Sequence, residues 1–262
     1  AKRISSTSLT YEFTIIGYTD TGSEVEFGGG SFGFGDGNSI EVLDESAISS
    51  QKILLKNNVA LNLFKVIHTF QAPGRYVVSY FEQNRNAEIV NMENSVDTPF
   101  YIETEILIDP FFFFFYTPVL LIPPIDNGIL GLSYLHNPGA FDPDGDSLSY
   151  ELVIPMQEKE FQVTNYRFPN VEEFYQEYNE GSEGGLGPPS FSLDSIIGDL
   201  IWDAPGSEGE YNFAFRVVEW RKVGDQWFKL GHVTRDMQVI IDDSDNKRPN
   251  LEVLDPICVE AG

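Results

Sequence analysis

The chain has 262 residues, of which 41 are acidic and 16 are basic, so its formal net charge is −25. Nucleic acids and anionic membranes are bound through basic surfaces, and this charge argues against both as partners. The length allows two domains of about 100–150 residues, each with its own core. The most apolar run, residues 111–125, is too short to span a bilayer and contains three prolines. Direct insertion into a membrane is therefore not expected.

Short runs of β-branched and aromatic residues alternate with Gly, Pro, Asp and Asn along the whole chain, which is typical of an all-β sandwich. The clearest predicted strands are residues 9–17, 75–81 and 211–220. Alternate side chains of the third strand should form one buried face, made of Tyr211, Phe213, Phe215 and Val217. One short helix is predicted at residues 170–178, with Asn170 as its N-cap.

A weak internal repeat divides the chain. Ala-Pro-Gly at residues 72–74 precedes a strand, an apolar segment that ends in Asp, and a proline; the same order follows Ala-Pro-Gly at residues 204–206. The offset of roughly 130 residues predicts two related modules in tandem. We place them at residues 1–110 and 111–247, and residues 248–262 would begin a following module. The single cysteine, in that last segment at Cys258, would then have its disulfide partner outside this chain.

The most informative segment is an Asp-Pro-Asp-Gly-Asp turn. Asp142, Asp144 and Asp146 stand at alternate positions, and carboxylates this close repel one another unless a cation or hydrogen-bond donors offset their charge. An all-oxygen cluster favours Ca²⁺. The alternative is an ordinary turn, in which these residue types are common for backbone reasons. The loop is not an EF-hand, because its sixth and twelfth positions are Ser147 and Val153.

Five consecutive phenylalanines, Phe111 to Phe115, occupy the predicted junction between the modules. An exposed run of this kind would invite aggregation, and it is too short for a lipid anchor. We therefore expect the run to be buried between the two modules, where an apolar interface would stiffen the tandem.

Two groups of motifs resemble known repeat families. Phe-Gly-Phe-Gly-Asp-Gly at residues 32–37 and His-Thr-Phe-Gln-Ala-Pro-Gly-Arg-Tyr at residues 68–76 resemble the PKD-type immunoglobulin-like domain. The Asp142 turn and Phe-Ser-Leu-Asp-Ser-Ile-Ile-Gly at residues 191–198 resemble cadherin-like repeats, with Ile197 where threonine is usual. These resemblances imply an all-β tandem of immunoglobulin-like sandwiches, PKD-like and then cadherin-like. His68, in the PKD-like signature, would be a packed structural residue.

The cadherin resemblance also implies metal ligands at the junctions. Residues 242–249 resemble the Asp-x-Asn-Asp-Asn-x-Pro linker of cadherins, which binds Ca²⁺ together with the next module, although Ser244 replaces the first Asn and one residue is inserted. The ligands implied there are Asp242, Asp245 and Asn246. A solvated acidic linker is the alternative. At the first junction the comparable acid is Asp109, which would join the Asp142 loop.

The combination of modules resembles large secreted surface proteins of Bacteroidota, which are exported by the type IX pathway and are associated with gliding motility or adhesion. This resemblance implies an extracellular chain attached to the outer membrane. Its partners would be neighbouring repeats of the same chain, with a surface polysaccharide or another cell-surface protein as further candidates.

The connection at residues 155–189 is longer than a sandwich needs, and long connections often carry function. Its Tyr166, Tyr175 and Tyr178 could contact sugar rings or could cover an open side of the sandwich. The sequence contains no motif of a known catalytic site. We therefore expect a non-catalytic structural and adhesive segment stiffened by calcium. The alternative is an accessory carbohydrate-binding module of a secreted polysaccharide-degrading enzyme.

Overall fold

The computed structural model describes residues 1–21, 27–42, 49–55, 58–111, 115–175 and 178–245, with the backbone alone at 20, 125 and 178. In these ranges helical residues form short 3₁₀ turns, which are Ser95–Asp97, Glu172–Phe174 and Tyr178–Glu180. No helix in the described part of the chain has the length and apolar character needed to cross a membrane.

The first sandwich consists of two antiparallel sheets. Its strands are β1 (Lys2–Arg3), β2 (Thr10–Asp20), β3 (Ser31–Gly33), β4 (Ser39–Glu41), β5 (Ser49–Leu54), β6 (Val59–Thr69), β7 (Gly74–Glu82) and β8 (Phe100–Ile108). One sheet has the order β1-β2-β6-β5, and the other contains β4-β3-β7-β8. With β4 as an additional edge strand, this is the ABED and CFG arrangement of an immunoglobulin domain. Side chains of both sheets form the core between them, including Tyr11, Phe13, Phe64, Tyr80 and Ile106.

The residues of the PKD-like motif meet in this first core. The ring of His68 stacks on Phe34 with 4.0 Å between centroids, and its Nε2 lies 2.7 Å from Asp36 Oδ2. Phe70 contacts the edge of the same histidine ring at 4.8 Å and packs on Tyr76 at 4.5 Å. The turn at residues 34–36 and the strand that carries His68 are therefore joined by ring stacking and by the contact between His68 and Asp36, and His68 is a packed residue, as predicted.

The second sandwich is built around a long hairpin. Its strands are β9 (Val119–Leu120), β10 (Ile125–Ile129), β11 (Tyr134–His136), β12 (Ala140–Phe141), β13 (Ser147–Val153), β14 (Met156–Glu158), β15 (Phe161–Gln162), β16 (Ser190–Leu193), β17 (Leu200–Asp203), β18 (Gly209–Val223) and β19 (Gln226–Asp242). The hairpin β18–β19 and β13 form one wall, β10 joins β19 in parallel, and β11-β17-β16 form the opposite sheet. The predicted buried face of β18 is confirmed, because Tyr211, Phe213, Phe215 and Val217 are all 0% exposed.

The two sandwiches share one sheet. Strand β8 of the first pairs antiparallel with β19 of the second through Glu105 with His232 and Thr104 with Val233. This pairing joins the two walls into a sheet of ten strands. The predicted fold class, an all-β tandem of immunoglobulin-like sandwiches, is confirmed by this strand order. The module boundaries at residues 110 and 247 stay predictions, and Asn246 and Cys258 lie outside the described residues.

The helix predicted at residues 170–178 is wrong. Glu172–Phe174 forms a single 3₁₀ turn that begins after Val171 rather than Asn170, and Tyr175 is already extended with φ of −135° and ψ of 141°. The reason is tertiary: the side chain of Tyr175 packs on the second core, and that contact outweighs a weak local helix preference.

The phenylalanine run is not placed as predicted at the positions that are described. Phe111 is 80% exposed, whereas Phe115 is fully buried in the first core against Tyr11. The cause is a backbone contact. The Phe115 carbonyl accepts a hydrogen bond from the N–H of Arg3 at 2.9 Å, which places the segment at Phe115 beside β1. Burial of the run between the sandwiches is therefore wrong at both ends, and residues 112–114 lie outside the described part.

A bulge in β19 anchors the second sandwich in the first. Leu230 is the extra residue of the bulge, and its side chain is 2% exposed within the first core. Arg75 of β7 donates to the carbonyls of Lys229 at 2.6 Å and of Leu230 at 3.1 Å. The next residue must be glycine, since a Cβ on Gly231 would lie 2.0 Å from the carbonyl oxygen of Glu105. The two sandwiches are thus joined by strand pairing and by one buried leucine, and not by the apolar interface that was predicted from the phenylalanine run.

A buried ion pair also joins the sandwiches. Arg85, between β7 and β8, contacts Asp236 of β19 at 2.8 Å, and their side chains are 1% and 3% exposed. Arg85 also donates to the carbonyl of Met156 at 2.8 Å and lies 4.9 Å from the ring centroid of Phe100. Asn212 donates to the second oxygen of Asp236 at 2.6 Å. Both charges are therefore hydrogen-bonded, which a buried pair requires to be stable.

His232 lies beside this joint among charged groups. Its ring is 4% exposed, 4.0 Å from Glu103 and 3.7 Å from Glu105, and both ring nitrogens are buried without a hydrogen-bond partner among the described atoms. Burial lowers the pKa of His232 to about 4, and the nearby Arg216 and Lys229 act in the same direction. The folded protein therefore holds this histidine neutral.

Replacing Asp236 should weaken the joint strongly. Asp236→Asn keeps the shape but leaves the Arg85 charge buried without its counter-ion, and we expect a loss of about 3–5 kcal/mol in the free energy of unfolding. Urea denaturation measures this loss. The control is Glu151→Gln, whose carboxylate is 52% exposed and 3.5 Å from Arg216, and it should cost less than about 1 kcal/mol. Equal losses in both variants would contradict the role given to the buried pair.

The pH dependence of stability should carry a contribution from His232. A histidine whose folded pKa is about 4 binds a proton more readily in the unfolded chain. The contribution of His232 to the free energy of unfolding is therefore fully present above the ordinary histidine pKa of about 6.5. This contribution, about 3 kcal/mol in total, is lost as the pH falls towards 4. Denaturation at several pH values should show this loss in the wild type but not in His232→Gln. Parallel pH profiles for the two proteins would refute the prediction.

Candidate metal centre

The Asp-Pro-Asp-Gly-Asp turn joins β12 to β13 and is organised by its first aspartate. Asp142 Oδ1 accepts hydrogen bonds from the backbone N–H of Asp144 at 2.8 Å and of Asp146 at 3.1 Å. The N–H of Gly145 donates to the Asp142 carbonyl at 3.2 Å. Gly145 has a φ of +85°, a conformation that other residues rarely adopt. The residue types of the turn therefore fold it so that its three carboxylates converge.

The converging carboxylates leave one buried oxygen unsatisfied. Each of the three aspartates offers an oxygen within 4.8 Å of the other two. Asp142 Oδ2 is buried and has no hydrogen-bond partner among the described atoms. Burial raises the pKa of Asp142, and repulsion from Asp146 and Asp144 adds to the rise, although the two N–H donors oppose it. Because buried polar atoms normally have partners, this oxygen favours a cation over an ordinary turn.

A fourth carboxylate, which the sequence analysis missed, faces the same loop. Glu219 of β18 is 1% exposed, and its Oε1 is buried without a hydrogen-bond partner among the described atoms. Burial raises the pKa of Glu219 to about 9, and the nearby Asp142 and Asp146 contribute to the rise. A signal existed in the sequence, since Glu219 lies two residues beyond Val217 and so on the same inward face of the strand. We call Asp142, Asp144, Asp146 and Glu219 the acidic corner.

One arginine reaches the acidic corner from the same strand. The Nε of Arg221 donates to Asp146 Oδ1 at 2.7 Å, and its Nη2 donates to Asp146 Oδ2. The same Nη2 is 4.0 Å from Asp144 Oδ2. The four carboxyl groups of the corner outnumber this single arginine.

The potential ligand atoms at the corner fit a hard divalent cation. They are carboxylate oxygens, and Ca²⁺ binds six to eight such oxygen ligands at about 2.3–2.6 Å in flexible geometry. Asp142 Oδ2 and Glu219 Oε1 are buried acceptors that no described donor satisfies. Asp144 is held in position because its Oδ2 accepts the N–H of Tyr116 at 2.9 Å. This last contact connects the loop to the segment that leaves the first sandwich.

The other predicted ligands lie elsewhere. Asp109 Oδ1 accepts the N–H of Phe111 at 2.8 Å, and Asp109 is not part of the described cluster of potential ligands. Asp242 ends β19, and both it and Asp245 are exposed and lie outside that cluster. Asn246 is outside the described residues. The structure thus brings together the three loop aspartates and adds Glu219, and it does not add the junction residues that are described.

The tyrosines of the long connection act in packing where they are described. Tyr166 forms a backbone bridge with Met92 and has a buried hydroxyl group. The hydroxyl oxygen of Tyr175 accepts a hydrogen bond from Trp202 Nε1 at 2.7 Å, and the ring lies against Gly206. The side chain of Tyr178 is outside the described part. Tyr166 and Tyr175 therefore match the interpretation that they cover the sandwich.

Comparison with known proteins adds no family. No family model matches the chain, and no curated protein matches it. Two solved structures of Dlar resemble it. The N-terminal Ig1-2 module of the Drosophila receptor protein tyrosine phosphatase DLAR is 9% identical over 87% of this chain and 90% of that chain, with a TM-score of 0.26. The tandem Ig repeats of Dlar are 9% identical over 90% of each chain, with a TM-score of 0.24. A nucleoside hydrolase-related hypothetical protein from Saccharophagus degradans, associated with carbohydrate metabolism, is 17% identical over 49% of this chain and 26% of its own length, with a TM-score of 0.25. These likenesses are too weak to carry an argument, so the fold rests on the strand order.

Removing the carboxyl group of Glu219 should stabilise the metal-free protein. In EDTA at pH 8, which is below its folded pKa of about 9, Glu219 must take up a proton on folding that the unfolded chain does not carry, and Glu219→Gln keeps the side-chain shape while it removes this cost. We expect the free energy of unfolding to rise by about 1–3 kcal/mol, as measured by urea denaturation. The control is Glu158→Gln on an exposed residue, which should change stability by less than about 0.5 kcal/mol. If Glu219→Gln were less stable than the wild type, the unfavourable burial assigned to the Glu219 carboxyl group would be contradicted.

Proposed function

We propose that this chain is a non-catalytic structural and adhesive segment of a secreted bacterial cell-surface protein, and that Ca²⁺ binds at its acidic corner. The observation that carries the proposal is the convergence of Asp142, Asp144 and Asp146, with the buried Glu219 close enough to interact with Asp142 and Asp146. Asp142 and Glu219 each keep one buried oxygen that no described donor satisfies. A tandem of immunoglobulin-like sandwiches suits a spacer between other modules. The motifs that resemble PKD-like and cadherin-like repeats support a location outside the cell, with adhesion or gliding motility as the process.

The chain's own residues prepare the site for the ion. The backbone N–H groups of Asp144 and Asp146 hold one oxygen of Asp142, so its other oxygen points inward. Glu219 comes from β18 and interacts with Asp142 and Asp146. A bound Ca²⁺ would supply the positive charge that allows all four carboxylates to be ionised together. It would thereby fasten the β12–β13 loop to the end of β18.

The position of the corner connects the ion to the tandem arrangement. Tyr116 follows Phe115, which is buried in the first core, and its N–H donates to Asp144 Oδ2. An ion at the corner would therefore restrain the segment between the two sandwiches in addition to the loop. The shared sheet and the Arg85–Asp236 pair already join the sandwiches, so we expect the ion to add local stiffness to a joint that forms without it.

Calcium should raise the melting temperature of the protein. A ligand that binds the folded state alone stabilises it by mass action, and a gain of about 2–3 kcal/mol at 100 times the dissociation constant corresponds to an increase of several degrees. Differential scanning calorimetry after EDTA treatment, with and without CaCl₂, measures the shift. Asp144→Asn, which keeps the shape of the side chain, should abolish most of it.

The matched control for that experiment is Asp225→Asn, at the exposed turn of the β18–β19 hairpin. It makes the same change of charge away from the corner and should keep the full calcium shift. A wild-type protein whose melting temperature is unaffected by calcium would refute the proposed metal site.

A further inference from the structure

Arg221 is the positively charged side chain that already contacts the aspartates of the acidic corner. Its guanidinium group holds both oxygens of Asp146, with Nε at 2.7 Å from Oδ1, and paired contacts of this kind are the strongest that an arginine makes with a carboxylate. The side chain of Asp146 is 7% exposed, so the pair is shielded from water on most sides. While this pair is intact, the guanidinium group places a positive charge against both oxygens of Asp146, and that charge opposes the approach of a metal ion.

The arginine also accounts for how the corner can fold without metal. A guanidinium group remains charged at any physiological pH, and that of Arg221 lies 2.7 Å from Asp146 Oδ1. Without it, the three aspartates and Glu219 would face one another with no lysine or arginine in a described ion pair with them. The second, independent sign of a cation site is Glu219, whose buried Oε1 has no donor.

We propose that Arg221 is a tethered counter-ion that a divalent cation must displace from Asp146 in order to bind all four carboxylates of the acidic corner. This proposal rests on the proposed function for its ligand. The displaced side chain has space to move, because it is 25% exposed and lies three positions before the open turn of the hairpin, where Val223 is 61% exposed. Release of Arg221 therefore requires a change of rotamer and no change of the strand.

Displacement has a consequence for the ion concentrations to which the site responds. A cation that replaces an internal ion pair gains only the difference between two electrostatic interactions. The affinity is therefore lower than four carboxylates alone would provide. Such a site suits the range of about 10⁻⁴–10⁻³ M that is typical of extracellular calcium modules.

The experiment is calorimetric titration of the EDTA-treated full chain with CaCl₂, for the wild type and for Arg221→Gln. If Arg221 competes with the ion, its removal should tighten calcium binding by about tenfold or more, since a positive charge near the site is lost and Asp146 is freed. Thermal melting in EDTA should show that the same variant is less stable than the wild type without metal and gains more from calcium.

Two further variants separate the possible causes. Arg216→Gln removes the same charge from the same strand, where Arg216 pairs with Glu103 at 2.9 Å. Five residues of strand place it about 17 Å from Arg221, beyond the screening length of about 8 Å at physiological salt, so its calcium affinity should equal that of the wild type. Arg221→Lys keeps the charge but not the paired contact, and it should bind calcium with intermediate affinity even if Arg221→Gln does not fold in EDTA.

The outcomes distinguish this proposal from the proposed function. Tighter binding by Arg221→Gln and Arg221→Lys supports both when the wild type also binds. If only the Arg221 variants bind calcium, the counter-ion proposal stands and the calcium function of the wild type falls. Unchanged or weaker binding by both variants, with a wild type that binds, overturns the counter-ion proposal alone. Absence of binding in all proteins overturns both.

Discussion

Compensation of buried negative charge is the constraint on which this structure depends. The chain has 41 acidic and 16 basic side chains, and a carboxylate that is buried without a counter-charge is costly. Arginines provide that charge at three places, in the pairs Arg85–Asp236, Arg216–Glu103 and Arg221–Asp146. At the first two an arginine meets a carboxylate directly. At the acidic corner one arginine faces four carboxylates, and two buried oxygens remain without donors.

This difference separates the joint between the sandwiches from the metal site. The joint uses the chain's own groups, since β8 pairs with β19, Leu230 enters the first core and Arg85 meets Asp236. It needs no ion. The corner is the place where an added cation changes the balance of charge, and its contact with Tyr116 brings that change close to the joint. In the proposed function, the chain's own contacts therefore hold the two sandwiches together, and calcium acts on the loop beside their joint.

The sequence predicted the main strands and three of the four carboxylates of the acidic corner, and its errors have identifiable causes. Alternation in β18 identified the buried face correctly, and extending the same alternation by one step would have included Glu219. The phenylalanine run was misplaced because its composition predicts burial but does not say which core receives it; pairing with β1 sends Phe115 into the first core. The helix at 170–178 was wrong because packing of Tyr175 on the second core outweighed local preference.

The sequence by itself determined the all-β class, the inward-facing residues of the main strands and the convergence of Asp142, Asp144 and Asp146. These follow from short-range rules, because the alternation of a strand and the geometry of an Asp/Gly turn involve residues that are close in the chain. Only the tertiary structure decided that β8 pairs with β19, that Arg85 meets Asp236, and that Glu219 and Arg221 face the aspartate loop. Those partners are about 70–150 residues apart in the chain, and no local pattern encodes which strands become neighbours in a sheet.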